Sequence, residues 1–388
     1  MSGADGAAAG RGPIPDRIDP ATLEWLELAA PADAFDEPAL TRIHRYVAVA
    51  NAVTQAFWGD DSHDTTVDEI LASLTGDEDE DTRRLLAVHE GRDVARAVAS
   101  VAREEGSSVG YVSAWVVPDA RGRGIGRAVA TRIEEVARSI GATTLQAWVD
   151  HRAPAEGEEA VAAVSGHGAV AADAAARLLR SLGYALEQVD RISVLDVEAA
   201  RGALEGHRAA ALAAAGDDYA VRSWSGRTPP ELAEGLAALH GRMVTDAPAA
   251  GLDVDDETWD VARLERSERQ QEASGLELVQ AIAVHVPTGE PVAFTWLAVP
   301  ADGRPAYQED TLVHAEHRGH RLGMLVKAEN LLQLGRLHPD RARILTWNAE
   351  ENRPMLAVNE ALGFVPVGAE GGWQRRLARP GGAGTPGA

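Results

Sequence analysis

One basic, glycine-bearing turn occurs twice in the sequence, at matching places in two similar stretches of chain. The copies are Arg121-Gly122-Arg123-Gly124-Ile125-Gly126 and Arg318-Gly319-His320-Arg321-Leu322-Gly323, which start 318 − 121 = 197 residues apart. A strand-like run precedes each turn and an apolar stripe with helical spacing follows it, so both turns are predicted to open a helix. A period near 200 residues in a chain of 388 indicates two duplicated domains rather than a solenoid.

The elements around the two turns follow the same order: an opening helix, three strands, the turn and its helix, a strand, and a closing helix and strand. The mixture predicts an α/β fold with a mixed (α+β) sheet in each domain. An insertion over residues 151–170 lengthens the first copy. We expect a disordered lead-in over 1–37, an N-terminal domain over 38–197, a helical linker over 198–218, a C-terminal domain over 219–378 and a disordered tail over 379–388.

Composition excludes several kinds of function. There are no cysteines, which excludes disulfides, thiolate metal ligands and a cysteine nucleophile. The 60 acidic residues exceed the 37 basic ones by 23, and such a negative field repels nucleic acid. The histidines lack metal-ligand spacing, so we expect no metal. With no bilayer-length apolar run and no signal peptide at the start, we expect a cytoplasmic protein without a membrane partner, as a monomer or homodimer.

A glycine-bearing basic turn at a helix start is suited to binding a phosphate or pyrophosphate. The first N–H groups of a helix lack partners and lie at the positive end of its dipole, and glycine lets an anion approach the main chain closely. A P-loop would need Lys and then Ser or Thr after its glycines, and neither copy has them. A dinucleotide-binding turn would follow the first strand of its domain, whereas these turns follow several strands.

The stretch from Val116 to Gly126 resembles the acetyl-CoA motif of the GNAT superfamily of N-acetyltransferases, whose core is Arg/Gln-x-x-Gly-x-Gly/Ala. The resemblance covers about residues 38–197 and again 219–378, and the tandem arrangement is similar to that of mycothiol synthase and related two-domain acetyltransferases. It implies two GNAT acyl-CoA N-acyltransferase domains with acetyl-CoA, or a close acyl-CoA, as co-substrate.

The resemblance also implies cofactor-binding residues. In the N-terminal copy these are Val116, Val117, Arg121, Gly122, Arg123, Gly124, Ile125 and Gly126, with a main-chain N–H near Val117 for the thioester carbonyl. In the C-terminal copy they are Val313, Arg318, Gly319, His320, Arg321, Leu322 and Gly323, together with Asn352. Since Arg321 replaces the middle glycine, we expect weaker binding there. The Tyr that many family members use as general acid is replaced by Leu179 and Asn359, so solvent or another residue must supply that proton.

Direct transfer to an amine also needs a base, because the amine is mostly protonated at neutral pH. At the offset of 197, Glu309 and Asp310 match Val112 and Ser113, so carboxylates occur in the second copy alone. We predict that one of them is the base; strand alternation predicts that at most one faces the cleft. Asp246 is predicted to contact the acceptor, a small-molecule amine.

We therefore expect a C-terminal catalytic domain and an N-terminal domain that binds cofactor without chemistry. Two alternatives remain open. The N-terminal domain could be the catalytic one, because its turn is more complete. Both domains could instead be silent, which would make the protein a CoA-binding sensor or scaffold. Four tryptophans in strand-like runs are predicted to pack in the core: Trp115, Trp148, Trp296 and Trp347.

Overall fold

The structure is a computed structural model and describes residues 14–76, 78–246 and 248–377. Its helices are α1 (Glu37–Trp58), α2 (Val67–Thr75), α3 (Ile125–Ser139), α4 (Ala174–Ser181), α5 (Val197–Ala215), α6 (Pro230–Gly241), α7 (Met243–Asp246), α8 (Val261–Ala273), α9 (Leu322–Leu337) and α10 (Arg353–Leu362). No helix within these ranges is long and apolar enough to cross a membrane.

The strands within the same ranges are β1 (Glu24–Glu27), β2 (Glu80–His89), β3 (Arg92–Ala102), β4 (Val109–Val116), β5 (Thr144–His151), β6 (Ala160–Ala162), β7 (Ala169–Ala171), β8 (Ala185–Asp196), β9 (Tyr219–Ser225), β10 (Leu276–His285), β11 (Glu290–Pro300), β12 (Ala306–Val313), β13 (Arg343–Ala349) and β14 (Val365–Arg376). Twelve of them form one mixed sheet, and β6 and β7 form a small hairpin within the insertion.

The two halves of the sheet exchange their last strands. The order is β1-β2-β3-β4-β5-β14-β8-β13-β12-β11-β10-β9. Strand β8 ends the N-terminal half but pairs with β13 of the C-terminal half, and β14 ends the chain's second half but pairs with β5 of the first. Strands β14 and β8 also pair with each other, so each half completes the sheet of its neighbour.

Each half contains a V-shaped gap between two parallel strands. Strands β12 and β13 pair only over Ala306–Gln308 and Ile344–Thr346, although both continue further. Strands β4 and β5 likewise pair only at their first residues, Val109–Tyr111 and Thr144–Gln146. Because a crossover helix runs back along the strand that precedes it, α3 and α9 each begin at the open end of a V. This places both predicted turns beside a gap.

The helical joint between the halves is confirmed. Helix α5 spans Val197–Ala215, with the Asp196 carboxylate capping its start and Gly216 ending it. It packs along α9, which is therefore covered by the sheet on one side and by α5 on the other. As a result, α9 is buried around most of its circumference.

The prediction of a disordered lead-in over 1–37 is wrong for its second part. Strand β1 pairs with β2, and Ile18, Leu23 and Leu28 are buried in the N-terminal core. Isolated apolar residues among Pro, Asp and Ala give little sequence signal, although each fills a place in the core. Residues 1–13 lie outside the described residues, as does the predicted tail over 379–388. The domain boundaries themselves stay a prediction.

Candidate active site

A cavity of about 1000 Å³ occupies the V of the C-terminal half. Strand β12, strand β13, the start of α9 and helix α10 form its walls. Strands β4, β5 and β8 of the N-terminal half contribute Tyr111, Trp148 and Asp190. The strand exchange explains this shared wall, because β14 and β8 hold the two V-shaped gaps side by side in one sheet.

Strand β12 contains a bulge at Glu309 and Asp310. Thr311 pairs with Thr295 and Gln308 with Leu297, so these two residues lie opposite one residue of β11, Trp296. A bulge interrupts the alternation of side chains, and both carboxylates line the cavity. The prediction that at most one of them faces the cleft is therefore wrong. A register shift of this kind cannot be read from a local sequence pattern.

Desolvation within the cavity perturbs both carboxylates, although Glu309 remains exposed to solvent in the cavity and the Asp310 side chain is 42% exposed. It raises the pKa of Glu309 to about 7, with a smaller contribution from the negative charge of Asp310. Burial also raises the pKa of Asp310, whose Oδ2 lies 3.9 Å from Nδ1 of His240. Burial lowers the pKa of that histidine to about 4. A carboxylate that titrates near neutrality is suited to accept a proton from an ammonium group.

The matching strand of the N-terminal half has no bulge. Strands β3 and β4 keep a continuous register from Val101–Gly110 to Ala95–Val116. Val112 is buried, and with Ser113 it supplies no group able to take a proton at neutral pH. The two halves therefore differ in backbone geometry as well as in side chains at this position.

The C-terminal turn keeps its helix-start geometry despite Arg321. Arg321 has a φ of 56° at the N-cap of α9, and Gly124 has a φ of 89° at the N-cap of α3, so both are left-handed. Arg318 Nε donates to the Val313 carbonyl at 3.3 Å, and its Nη2 lies 3.3 Å from Asp246 Oδ2. Asp246, predicted to contact the acceptor, therefore also pairs with the turn. Four residues in and around this turn line the cavity: Val313, Arg318, Arg321 and Asp246.

The N-terminal turn is partly engaged by the chain itself. Ile18 N donates to Arg123 O at 3.0 Å, and Arg123 Nη1 donates to Pro15 O at 2.7 Å. The Val117 N–H donates to Val94 O within the sheet, so the main-chain N–H predicted near Val117 for the thioester carbonyl is not that of Val117 itself. Because N–H groups along a strand alternate in direction, the Val116 N–H points toward the gap instead.

The predicted Asn352 caps a helix. Its Oδ1 accepts from Met355 N at 3.3 Å at the start of α10, and the residue lines the cavity. In the N-terminal half Asp173 caps α4, accepting from Ala176 N at 2.9 Å, and its second oxygen lies 2.9 Å from Nδ1 of the buried His151. Sequence comparison missed this equivalent cap, because the insertion precedes it and Asp replaces Asn.

Two tryptophans predicted to pack in the core line the cavity instead. Trp148 and Trp347 form part of its wall, and neither belongs to the buried core. Two carboxylates that the sequence did not single out lie there as well, Asp190 and Glu351. Each has one buried oxygen without a hydrogen-bond partner among the described residues. Burial, with the nearby charge of Glu351, raises the pKa of Asp190 to about 7.

A segment of the C-terminal half closes the cavity against the N-terminal half. Leu252, Asp253 and Val254 line it. Asp255 Oδ2 accepts from Ser108 N and Val109 N, both at 2.9 Å. Asp253 accepts from Thr144 Oγ1 at 2.9 Å. The segment thus connects the cavity's outer wall to strands β4 and β5.

Residues 46–157 match the profile of the Acetyltransferase (GNAT) family. This part of the chain is a GNAT domain. The match contains the N-terminal turn, its helix and the strands on either side. A search of the curated proteins found no significant match.

Solved structures show that the GNAT fold continues through the second half. A tandem GNAT protein from the clavulanic acid biosynthesis pathway aligns with 92% of this chain and 100% of its own, at 24% identity and a TM-score of 0.68. A GCN5-related N-acetyltransferase from Sphaerobacter thermophilus aligns with 92% of this chain and 96% of its own, at 14% identity and a TM-score of 0.55. The chain has a tandem GNAT fold, and GNAT acyltransferases in general use acyl-CoA.

Proposed function

We propose that the C-terminal half transfers an acetyl group from acetyl-CoA directly to an amine of a small molecule. The observation that carries this proposal is the bulge in β12, which directs the side chains of both Glu309 and Asp310 toward a cavity of about 1000 Å³. The basic turn at the start of α9 borders the same cavity. A phosphate-binding helix start and a carboxylate with a pKa near 7 then border one space.

Acetyl-CoA enters at the open end of the V in this proposal. Its pyrophosphate lies on the N–H groups at the start of α9, with Arg318 and Arg321 beside it. Strand β12 offers the Val313 N–H toward the gap, because the neighbouring His314 N donates away from it, to Val292 O. The pantetheine arm extends from there between β12 and β13, toward the bulge.

The inner part of the cavity favours a cationic acceptor. Four of its carboxylates lie away from the turn: Asp190, Glu309, Asp310 and Glu351. A protonated amine is attracted to this surface, and loss of its proton to Glu309 prepares the nitrogen for attack on the thioester. Burial raises the pKa of Glu309 to about 7 and the charge of Asp310 beside it adds a smaller increase, so the base titrates near the working pH.

The test is an acetyl-transfer assay against polyamines, aminoglycosides, amino-acid conjugates and peptides, followed by single variants with the best acceptor. Glu309→Gln should lower kcat by about 10²–10⁴-fold, the usual contribution of a general base, and leave acetyl-CoA affinity nearly unchanged. Asp310→Asn should have a smaller effect and should lower the pH at which the rate rises. In the wild type, kcat should rise with pH up to about pH 7, as Glu309 ionises.

Arg121→Ala is the matched variant of the N-terminal half, and we expect it to retain turnover. If both carboxylate variants keep full turnover while Arg121→Ala abolishes it, the N-terminal half is catalytic and the proposal fails. If acetyl-CoA binds but no amine in the panel is acetylated, a CoA-binding sensor becomes the better interpretation.

A further inference from the structure

Lys327 is the only lysine in the sequence, and it is buried in the wall of the cavity. It is 1% exposed and belongs to the lining formed by α9. Among the described residues, its Nζ lies 5.7 Å from the centroid of the Phe364 ring. No hydrogen bond or ion pair within those residues satisfies this amine. Because an unpaired buried amine is costly, its position points to a ligand.

The helix geometry places Lys327 beside the bulge in β12. A Cβ on Gly323 would lie 3.6 Å from Val313, so the start of α9 is level with the end of β12. Lys327 is four residues further, about 6 Å along the helix axis. Helix α9 runs antiparallel to β12, and 6 Å corresponds to about two residues along that strand. Lys327 is therefore level with Thr311, next to the bulge.

We propose that the ammonium group of Lys327 donates the proton that the departing CoA thiolate takes up. The inference rests on the proposed function, in which the thioester lies in the gap between β12 and β13. The acceptor amine then approaches from the side of Glu309, and the sulfur faces α9. Lys327 fills the role left open by Asn359, whose amide N–H groups can donate hydrogen bonds but are too weakly acidic to transfer a proton to a thiolate.

The proton transfers balance without a further reactant. Glu309 takes one proton from the acceptor ammonium, and the amine nitrogen forms a bond to the carbonyl carbon. The carbon–sulfur bond then breaks, and the sulfur keeps its electron pair and accepts a proton from Lys327 Nζ. The new amide nitrogen loses its second proton, which returns Lys327 to the ammonium form, and Glu309 releases its proton to solvent.

Lysine suits this step in a way that arginine does not. Arginine remains protonated at every working pH, whereas a buried lysine can release its proton. Burial lowers the pKa of Lys327 to about 7, below the ordinary thiol value of about 8.5, so transfer to the thiolate is downhill. Every other long basic side chain in the chain is arginine, and the equivalent position in the N-terminal half is Ala130.

Few charged groups face Lys327 from the surrounding elements. On α9 itself, Glu329 pairs with Arg208 of α5. Glu360 of α10 pairs with Arg191. Glu309 and Asp310 of β12 line the cavity, and the arginines of the turn lie a helical turn or more away. Burial is the one resolved cause of the shift in Lys327.

Because the chain has one lysine, its titration can be followed directly. Protein grown with lysine labelled with carbon-13 at Cε should give a single lysine signal, which Lys327→Met removes and thereby assigns. We expect this signal to titrate near pH 7 and to shift when acetyl-CoA or CoA binds. A midpoint near the ordinary value of about 10.4, or no shift with saturating CoA, would overturn the proposal without reference to turnover.

Kinetics of two variants complete the test. With the best acceptor, Lys327→Met should lower kcat by about 10²–10⁴-fold with little change in acetyl-CoA affinity. Lys327→Arg keeps the charge but cannot release a proton, so it should also be slow. The wild-type rate should fall as Lys327 deprotonates above its pKa, and both variants should lack this alkaline limb. If Lys327 were merely structural, both variants would still show the fall in rate at alkaline pH.

Two results separate this proposal from the proposed function. If the wild type acetylates an amine and Lys327→Met retains its kcat, the function stands and the role of Lys327 is refuted. Intact-mass analysis after incubation with acetyl-CoA should show no added acetyl group. A stably acetylated Lys327 would make it a nucleophile or a modification site and would also refute the proton-donor role.

Discussion

Replacing Lys327 with Met should stabilise the protein while it impairs the reaction. Met has a similar length and no charge, so the variant removes a buried, unpaired amine and leaves the packing against Phe364 largely intact. The wild type gives up the solvation of this amine on folding, and burial lowers its pKa to about 7. We therefore expect a higher free energy of unfolding for Lys327→Met at neutral pH.

The size of the effect follows from the shift in pKa. Between an unfolded value of about 10.4 and a folded value of about 7 there are three to four pKa units, each equivalent to about 1.36 kcal/mol. The unfolded chain binds more protons between these values, so wild-type stability rises with pH across this window. The destabilisation by the buried ammonium is complete below about pH 7, where it amounts to at most about 5 kcal/mol, and it disappears above about pH 10.

The assay is urea unfolding of wild type and Lys327→Met at several pH values from about 7 to 10, followed by tryptophan fluorescence. The difference in stability should shrink by about 1.4 kcal/mol for each pH unit. Equal m-values are the control, since they show that both proteins expose the same surface. A stability difference that does not vary with pH would refute the account of Lys327 as a buried, shifted amine.

Two further predictions concern binding. Gly124→Asp and Gly319→Asp each put a carboxylate into one of the two turns predicted to bind phosphate, at positions with φ of 89° and 91°. Calorimetry of acetyl-CoA should therefore lose one site per chain with Gly319→Asp. A matching loss with Gly124→Asp would show that the N-terminal turn binds as well. Asp255→Ala removes two hydrogen bonds that hold the cavity's outer segment to β4, so the KM for the acceptor should rise about tenfold with acetyl-CoA affinity unchanged. Asp256→Ala is its control, because Asp256 is exposed and has no hydrogen bond among the described residues; equal KM values in the two variants would contradict this role.

The sequence was sufficient to predict the elements whose signals are local. Glycine positions marked both turns, and apolar spacing marked the helices that follow them. The helical linker predicted over 198–218 corresponds largely to α5. An offset of 197 between the turns was enough to find the carboxylates of β12, because duplication makes each half a reference for the other.

Features that depend on pairing between distant strands were not predictable in this way. A run of alternating apolar and polar residues indicates a strand but not the strand with which it pairs. The exchange of β8 and β14 between the halves therefore left no local signal in the sequence. The bulge at Glu309 is likewise a property of two strands, since it exists only because two residues of β12 lie opposite one residue of β11. Lys327 did leave a signal that was missed: it is a lone lysine inside an apolar helix of an arginine-rich chain.

In the proposed function the two halves divide their roles, and the strand exchange makes this division possible. In two independent domains, loss of catalysis in one copy would leave that copy dispensable. Here β5 and β8 of the N-terminal half form the far wall of the C-terminal cavity, where Trp148 and Asp190 lie. Strand β14 completes the sheet beside β5 in return. The N-terminal half can therefore lose the bulge and its carboxylates and still shape the pocket for the acceptor, because its contribution is made by strand position rather than by reactive groups.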